Sequence, residues 1–565
     1  MAKRRRRRTA GRRLFVDGQP ERMRDLRMVY AEPAADERRD GPVGGSGNSW
    51  SSSDDSRKAT GPRLTLNSKQ RVFAVLCSKP FWAEAEFIQQ AVDEFDRSRT
   101  GRRRGRPRDN SAADMLAYRQ MELVCEGMNA ADREIGPDPH AGLVRSLWDE
   151  AQEALEQAWP DRPERRLSAK PVNRTKYHNF CKRFLTDDML EHIALAISDH
   201  AVEGALDTGL LDPADGTHTN PHTTQLIYGD GCWFSTPHNH GAKIRRDPDA
   251  TEFFNNDGTR ADAPGNLAVR TYIRGEDPNT RITLTVDVKD PQAGPMSDAR
   301  IAVDRILGLL DRHSALREGA KGFVYDMALR SAEHDDLLDA GIIGISHTPK
   351  TANGRPAARN LGTHKFRIGT ETIATMTVTA IDGAPTIHLV DGNGDDLAVP
   401  LLGGQVRRRW RKRLGRYAVY RDWHIPRQDH VPPQLQGATT EIRHNSSDTE
   451  REAKPHQRLA SALRVFPDYD PVMLNKYGLR EDSESSNNHT KDMFPHRRAN
   501  TLGRRRLHFK LFAAQHHDLV TALLNHAKRT SNDVSDWFGR YLAHLQPADD
   551  QPTKHARDGP LPLAA

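Results

Sequence analysis

The sequence predicts an α/β protein: a mixed sheet flanked by helices, interrupted by a β-rich insertion and preceded by an all-α region. Three observations carry that prediction. Ile282, Leu284, Val286 and Val288 alternate strictly with polar residues, the period of a half-buried strand. Val303, Ile306, Leu307 and Leu310 recur at i, i+3, i+4 and i+7, the spacing of one helical face. Between 351 and 435 the pattern becomes one of short strands, with Asp-Gly turn signals at 382–383 and 391–392.

Residues 1–62 are rich in Arg, Gly, Ser and Asp and lack apolar periodicity, so they read as a disordered basic arm. Short amphipathic helices then occupy 63–205. Their apolar positions include Val72, Val75 and Leu76, then Phe87 and Ile88, Met115 and Leu116, Leu147 and Leu155, and Tyr177 through Phe184. Strands follow at Thr224–Asp230, which Gly231 is expected to break, at Leu267–Arg274 and at Arg281–Lys289. After the helix around Val303–Leu310 come a buried strand Gly322–Asp326, a polar helical turn and a strand Gly341–Ile345. Three consecutive strands, a helix, a strand, a short helix and a strand are the order of an RNase H-like core. Its first part is therefore assigned to 220–350. In that order Asp230 ends the central strand and Asp326 its neighbour.

The insertion, 351–435, has strands at Ile373–Val378, Thr386–Val390 and Tyr417–Trp423. The second part of the core, 436–545, carries one further helix of interest and a long helical stretch over 502–529. The end, 546–565, is Pro-rich and polar and reads as a disordered tail.

On an α-helix Tyr477, Arg480, Glu484 and Lys491 would share one stripe about 60° wide. A carboxylate there can hold a cation, while the Arg fork and the Lys charge can hold phosphate oxygens. The plain alternative is a solvated helical face with an i,i+4 Arg–Glu pair. Two aspartates and a glutamate converging on one point are what two-metal phosphodiester chemistry needs. Rival carboxylates stand nearby: Glu481 and Asp482 turn off the stripe, and Asp335 and Asp336 do not end an apolar strand.

Tyr477-(2)-Arg480-(3)-Glu484-(6)-Lys491 matches the Y-(2)-R-(3)-E-(6)-K signature of DDE transposases of bacterial insertion sequences, which the chain resembles over roughly residues 220–530. Tyr477-Gly478-Leu479-Arg480-Glu481-Asp482-Ser483-Glu484, Val324-Tyr325-Asp326-Met327-Ala328-Leu329-Arg330 and Arg498-Ala499-Asn500-Thr501-Leu502-Gly503 look like that family too. The resemblance implies a triad of Asp230, Asp326 and Glu484 holding two Mg2+ or Mn2+ ions, with Tyr477, Arg480 and Lys491 positioning phosphates. It implies transposon-end and target double-stranded DNA as partners, and a homodimer on that DNA. An aromatic in the insertion that stacks on an unpaired base is a further implication, with Trp410 the first candidate and Trp423 the second. The alternatives are a nuclease on the same core that does not transfer strands, and an inactive transposase-derived DNA-binding protein.

Charge agrees with a polyanion partner. The net charge is +7, with cationic runs at 3–13, Arg102–Arg108, Arg407–Arg413 and Arg504–Arg506. Arg104 and Arg106, in Arg-Gly-Arg-Pro, can enter a minor groove or form a basic linker. Cys77, Cys125, Cys181 and Cys232 lack CxxC spacing, which argues against a disulfide framework and a Cys-based zinc site and fits a reducing interior. With the DNA partners that the resemblance implies, the expected location is the cytoplasm, in association with the nucleoid. No apolar run approaches the ~20 residues of a membrane span. His218, His222, His238 and His240 read as a solvated loop rather than a zinc site.

Overall fold

The structure, a computed structural model, describes residues 172–530 apart from 184, 239–246, 255–258, 262, 277–279, 294–295, 349–357, 391–393, 395, 453–457, 495–496 and 500. It also describes the strand Arg27–Met28 and residues 114–116, 118–119 and 122, which are helical. Most of the basic arm, most of the N-terminal helices, Cys77, Cys125, His240, Arg104, Arg106 and the C-terminal tail lie outside these residues.

In chain order the elements are β1 (Arg27–Met28), α1 (Arg174–Arg183), α2 (Asp187–Asp207), β2 (Leu226–Ser235), β3 (Gly265–Arg274) and β4 (Arg281–Val288). Then follow α3 (Asp298–Arg312), α4 (Ser314–Gly319), β5 (Gly322–Val324), α5 (Ser331–Ala340) and β6 (Ile343–Ile345). A second set runs β7 (Ala358–Ile368), β8 (Glu371–Ile381), β9 (Ala384–Val390), β10 (Asp396–Pro400), β11 (Leu402–Arg411), β12 (Arg416–His424) and β13 (Thr439–Arg443). Helices α6 (Asp448–Glu452), α7 (Pro471–Tyr477), α8 (Glu481–Asp492) and α9 (Arg504–Thr530) complete it.

Two sheets result. The first is a five-stranded mixed sheet in the order β4-β3-β2-β5-β6: β2, β3 and β4 are antiparallel neighbours, and β5 and β6 add parallel to β2. The second is a seven-stranded antiparallel sheet, β10-β9-β8-β7-β13-β12-β11, to whose edge the short β1 adds in parallel. Strand β2 does not break at Gly231; it runs on to Ser235 because β3 keeps pairing with it after β5 has ended. The insertion is also longer than the pattern suggests. Its last strand, β13, reaches Arg443, beyond 435, and pairs back to β7 and β12. Asp382 and Gly383 form the expected two-residue turn, both at positive φ (52° and 88°), between the paired Ile381 and Ala384.

The two faces of the five-stranded sheet are built differently. Against one lies α3, capped by Ser297, whose hydroxyl accepts from Arg300 N–H, and burying Ala299, Ala302, Val303, Ile306, Leu309 and Leu310. These side chains share a core with Ile227, Val269, Ile273, Ile282, Leu284 and Phe323. Ala201, Val202 and Ala205 of α2 and Leu519 and Ala522 of α9 join the same core, so α2 packs as part of this layer. The other face carries Leu226, Tyr228, Tyr272, Val324, Ile343 and Ile345, met by Val406 and Val419 of the second sheet and by Val472 and Met473 of α7. The candidate site lies on that second face.

Candidate active site

Asp230 and Asp326 stand at the same level on adjacent strands. Tyr228 of β2 pairs with Val324 of β5, and each aspartate lies two residues further on. Alternation puts both on the Tyr228 face. Asp326 Oδ1 accepts from Ala328 N–H at 2.8 Å, which turns the chain away from the strand.

Arg480 joins them. Its Nη2 lies 3.6 Å from Asp230 Oδ1 and 3.9 Å from Asp326 Oδ2. Burial pushes the Asp230 carboxyl up to about 6; Arg480 opposes that rise, while Asp326 and Asp298 add to it. Burial works against the Arg480 charge, but Asp230, Tyr477, Asp326 and Glu484 outweigh it and hold the guanidinium above its ordinary range. Arg480 Nε is buried without a hydrogen-bond partner among the described residues. Burial also raises the Tyr477 phenol, against Arg480 and with Asp326, Asp468 and Asp230.

Tyr477, Arg480, Glu484 and Lys491 do not share one uninterrupted α-helix. Tyr477 closes α7, residues Gly478–Arg480 form a 3-10 turn, and only Glu484 and Lys491 lie on α8. The path stays right-handed throughout, but a 3-10 turn winds more tightly and rotates Tyr477 and Arg480 relative to the rest. Glu484 is exposed, one turn before Asn487, whose Nδ2 donates to Asp230 Oδ2 at 3.0 Å. Lys491 lies near the buried Cys232 thiol, two residues beyond Asp230 on β2, and its charge opposes the rise that burial gives that thiol. The structure therefore joins Asp230, Asp326, Arg480 and Tyr477 and leaves Glu484 at the rim. Among the described residues, no three His, Cys, Asp or Glu side chains are grouped so as to hold a metal ion.

Helix α8 is Glu-Asp-Ser-Glu-Ser-Ser-Asn-Asn-His-Thr-Lys-Asp, a sequence of poor helix formers. Side chains of β3 hold it in place. Arg270, Tyr272 and Arg274 project from one face of that strand at every second position. Buried Arg270 donates through Nη1 to the Ser486 carbonyl at 3.2 Å and to Thr490 Oγ1. Its Nη2 reaches Thr283 Oγ1 at 2.9 Å and Asp518 Oδ2 of α9 at 2.9 Å. Tyr272 Oη and Ser483 Oγ are 2.7 Å apart. Asp482 is clasped by Arg281 at 2.6 Å and Arg274 at 3.4 Å.

Sequence reasoning missed this ladder and Asn487. The available signal was Ser483, Ser486, Asn487 and Thr490 at i, i+3, i+4 and i+7, a core-facing spacing written in polar residues. Three of the four rival carboxylates have structural partners. Asp482 holds Arg281; buried Asp335 accepts from Ser446 N–H at 2.7 Å; Asp336 pairs with Arg300.

Trp410 is 54% exposed near the tip of the β11–β12 hairpin, its ring edge-on to Tyr417 with centroids 4.9 Å apart. Trp423 is a core residue packed with Phe366, Val378 and Ile387, so it is no stacking platform. The basic runs are also less free than their composition implies. Arg407 pairs with Asp422 at 2.7 Å and Arg409 with Glu441 at 2.5 Å; Arg504 and Arg505 both clasp Asp187 at the start of α2. The histidine loop is only partly solvated. His222 Nε2 lies 3.2 Å from Glu276, while burial pushes His218 down to about 3. Cys181 and Cys232 are free and buried. No described helix is long and apolar enough to cross a membrane.

Compared with known proteins, the chain matches no family model and no curated protein.

Proposed function

We propose that the chain is a DDE-type DNA transposase with an RNase H-like core, which cleaves DNA at transposon ends and transfers the 3′-hydroxyl to target DNA. The observation that carries this reading is the juxtaposition of Asp230, inside β2, and Asp326, just past the end of the adjacent β5, with Arg480 of the signature between them. The strand order, in which the third, second, first, fourth and fifth strands of the first sheet lie side by side, supports the RNase H-like assignment.

The site chemistry suits hard divalent cations. Its donors are carboxylate oxygens, and a cation would relieve the burial and carboxylate crowding that lift Asp230. Asp230, Asp326 and Glu484 are the residues that would hold Mg2+ or Mn2+, which supplies activation of water or a 3′-hydroxyl and stabilisation of the leaving oxygen. Arg480, whose Nε has no hydrogen-bond partner among the described residues, and Tyr477 would orient a phosphate. Trp410 and the exposed tip of its hairpin offer a surface for DNA, and base stacking there is worth ~1–3 kcal/mol per base.

One observation favours a second reading, a transposase-derived DNA-binding protein without catalysis: Glu484 stands exposed at the rim and no three-ligand group forms among the described residues. Cleavage assays on DNA flanking the gene, with Mg2+, separate the two. Asp230→Ala, Asp326→Ala and Glu484→Gln are each expected to abolish cleavage while end binding in gel shifts stays within several-fold. A wild-type chain that binds these ends and never cuts them establishes the non-catalytic reading. Cutting without joining to a target establishes a nuclease.

A further inference from the structure

His347 extends the row of site residues by one strand. Tyr228 of β2 pairs with Val324 of β5, which pairs with Ile345 of β6, and Tyr325 N–H continues the ladder to the Ile345 carbonyl at 3.2 Å. Asp230, Asp326 and His347 each lie two residues past that paired row, on the face that α7 covers. His347 packs edge-on against Tyr477, ring centroids 4.3 Å apart.

Its Nδ1 lies 2.9 Å from Asp468 Oδ1. An ionised carboxylate only accepts, so the proton of that contact sits on Nδ1 and Nε2 remains for other chemistry. Orientation of an imidazole by a carboxylate is the recurring arrangement of proton-transfer histidines. Both side chains are open to solvent, His347 at 38% and Asp468 at 50%, so a DNA strand can reach them. The neighbouring Arg480 and Tyr477 carry a guanidinium and a phenol, side-chain types that part with a proton far less readily at neutrality than an imidazolium does.

We propose that His347, oriented by Asp468, is the general acid that protonates the leaving 3′-oxygen when DNA is cut at the Asp230–Asp326 site. The proposal rests on reading that site as a phosphodiester-cleaving one. The water oxygen forms the new bond to phosphorus and releases its proton to solvent. The bond from phosphorus to O3′ breaks, its electron pair stays on O3′, and O3′ takes the Nε2 proton of the imidazolium. Asp468 stabilises the imidazolium before transfer, and solvent restores the proton afterwards.

The test uses the full chain and duplex DNA flanking its gene. The bond that the wild type cuts is mapped and rebuilt with sulfur replacing the bridging 3′-oxygen, since a thiolate leaves without needing a proton. Both substrates are run in Mn2+, which accepts sulfur more readily than Mg2+. His347→Gln is expected to slow cleavage of ordinary DNA by roughly 10²–10⁴-fold and to come within several-fold of wild type on the sulfur substrate. Asp468→Asn should show a smaller defect with the same rescue. Equal slowing on both substrates marks a structural role and overturns the proposal, as does no slowing. A wild type that cuts neither substrate sinks the cleavage reading as well; one that cuts normally beside an unimpaired His347→Gln sinks only the general acid.

Discussion

Strand β2 is gripped from its two sides by helices of opposite character. On one face α3 buries Val303, Ile306, Leu309 and Leu310; on the other α8 buries Ser483, Ser486, Asn487 and Thr490. Apolar packing is non-directional and stabilises in proportion to area, at about 25 cal/mol per Å². Hydrogen bonds contribute only about 1 kcal/mol net, but they fix distance and angle. The comparison teaches a division of labour: α3 supplies stability, and α8 trades it for placement. A helix that brings Asn487 onto the half-buried Asp230 is set by Arg270, Tyr272 and Arg281, whose partners define its height and rotation.

The sharpest way to break this contrast is Ile306→Ala. The side chain is fully buried in the larger core, so the cavity should cost roughly 2–5 kcal/mol of global stability in chemical denaturation. Hydrogen exchange should rise across the whole sheet, with α8 no worse than its neighbours. Selective loss of protection in α8 would mean that its position depends on apolar packing after all.

Next in size is Arg270→Met. It removes bonds to Ser486, Thr490 and Thr283 and leaves Asp518 without its arginine. The expected cost is about 2–3 kcal/mol, less than for most broken buried pairs because Thr283 Oγ1 still donates to Asp518 Oδ2 at 3.0 Å and Met keeps the volume. Unlike Ile306→Ala, it should loosen α8 selectively and lower cleavage more than DNA binding. Uniform loss of protection through α3 and α8 together would erase the distinction between the two helices.

This contrast also explains what the sequence could and could not reveal. Alternation along Ile282–Val288 and the apolar spacing of Val303–Leu310 mark β4 and α3 because burial writes itself in hydrophobic residues. The Asp-Gly pair at 382–383 marks its turn because φ is positive at both positions. Asp230 and Asp326 are legible as candidates because each follows a short apolar run, Leu226–Tyr228 and Phe323–Tyr325. Strand β11 escaped notice, its Arg407 and Arg409 neutralised across the sheet by Asp422 and Glu441 rather than left to solvent. Trp423, the second stacking candidate, packs in the core instead, a choice that nothing local in its strand decides. The ladder under α8 was illegible because a polar face looks solvated until strands far away in sequence supply its partners. His347 and Asp468 escaped in the same way, being joined only by the fold.

The smallest expected effect is a gain. Asp230→Asn removes a carboxyl that burial, with help from Asp326 and Asp298, lifts to about 6 from an ordinary value of 3.8. A carboxyl raised on folding binds its proton more tightly in the native state. Its contribution is therefore present below pH 3.8 and lost as pH rises through about 6. At pH 7.5 the metal-free wild type carries the full penalty, and Asp230→Asn should be more stable by about 1–2 kcal/mol, the lower part of what such a shift allows. The gain should shrink as pH falls below 6 and also when Mg2+ is added, since a bound cation relieves the same penalty in the wild type. Thermal melts of both chains across pH 5–8, with and without Mg2+, check this. A variant less stable than wild type at pH 7.5 would show that the Arg480 and Asn487 contacts outweigh the cost of burying the charge. The polar face of β2 would then be a source of stability like the apolar one.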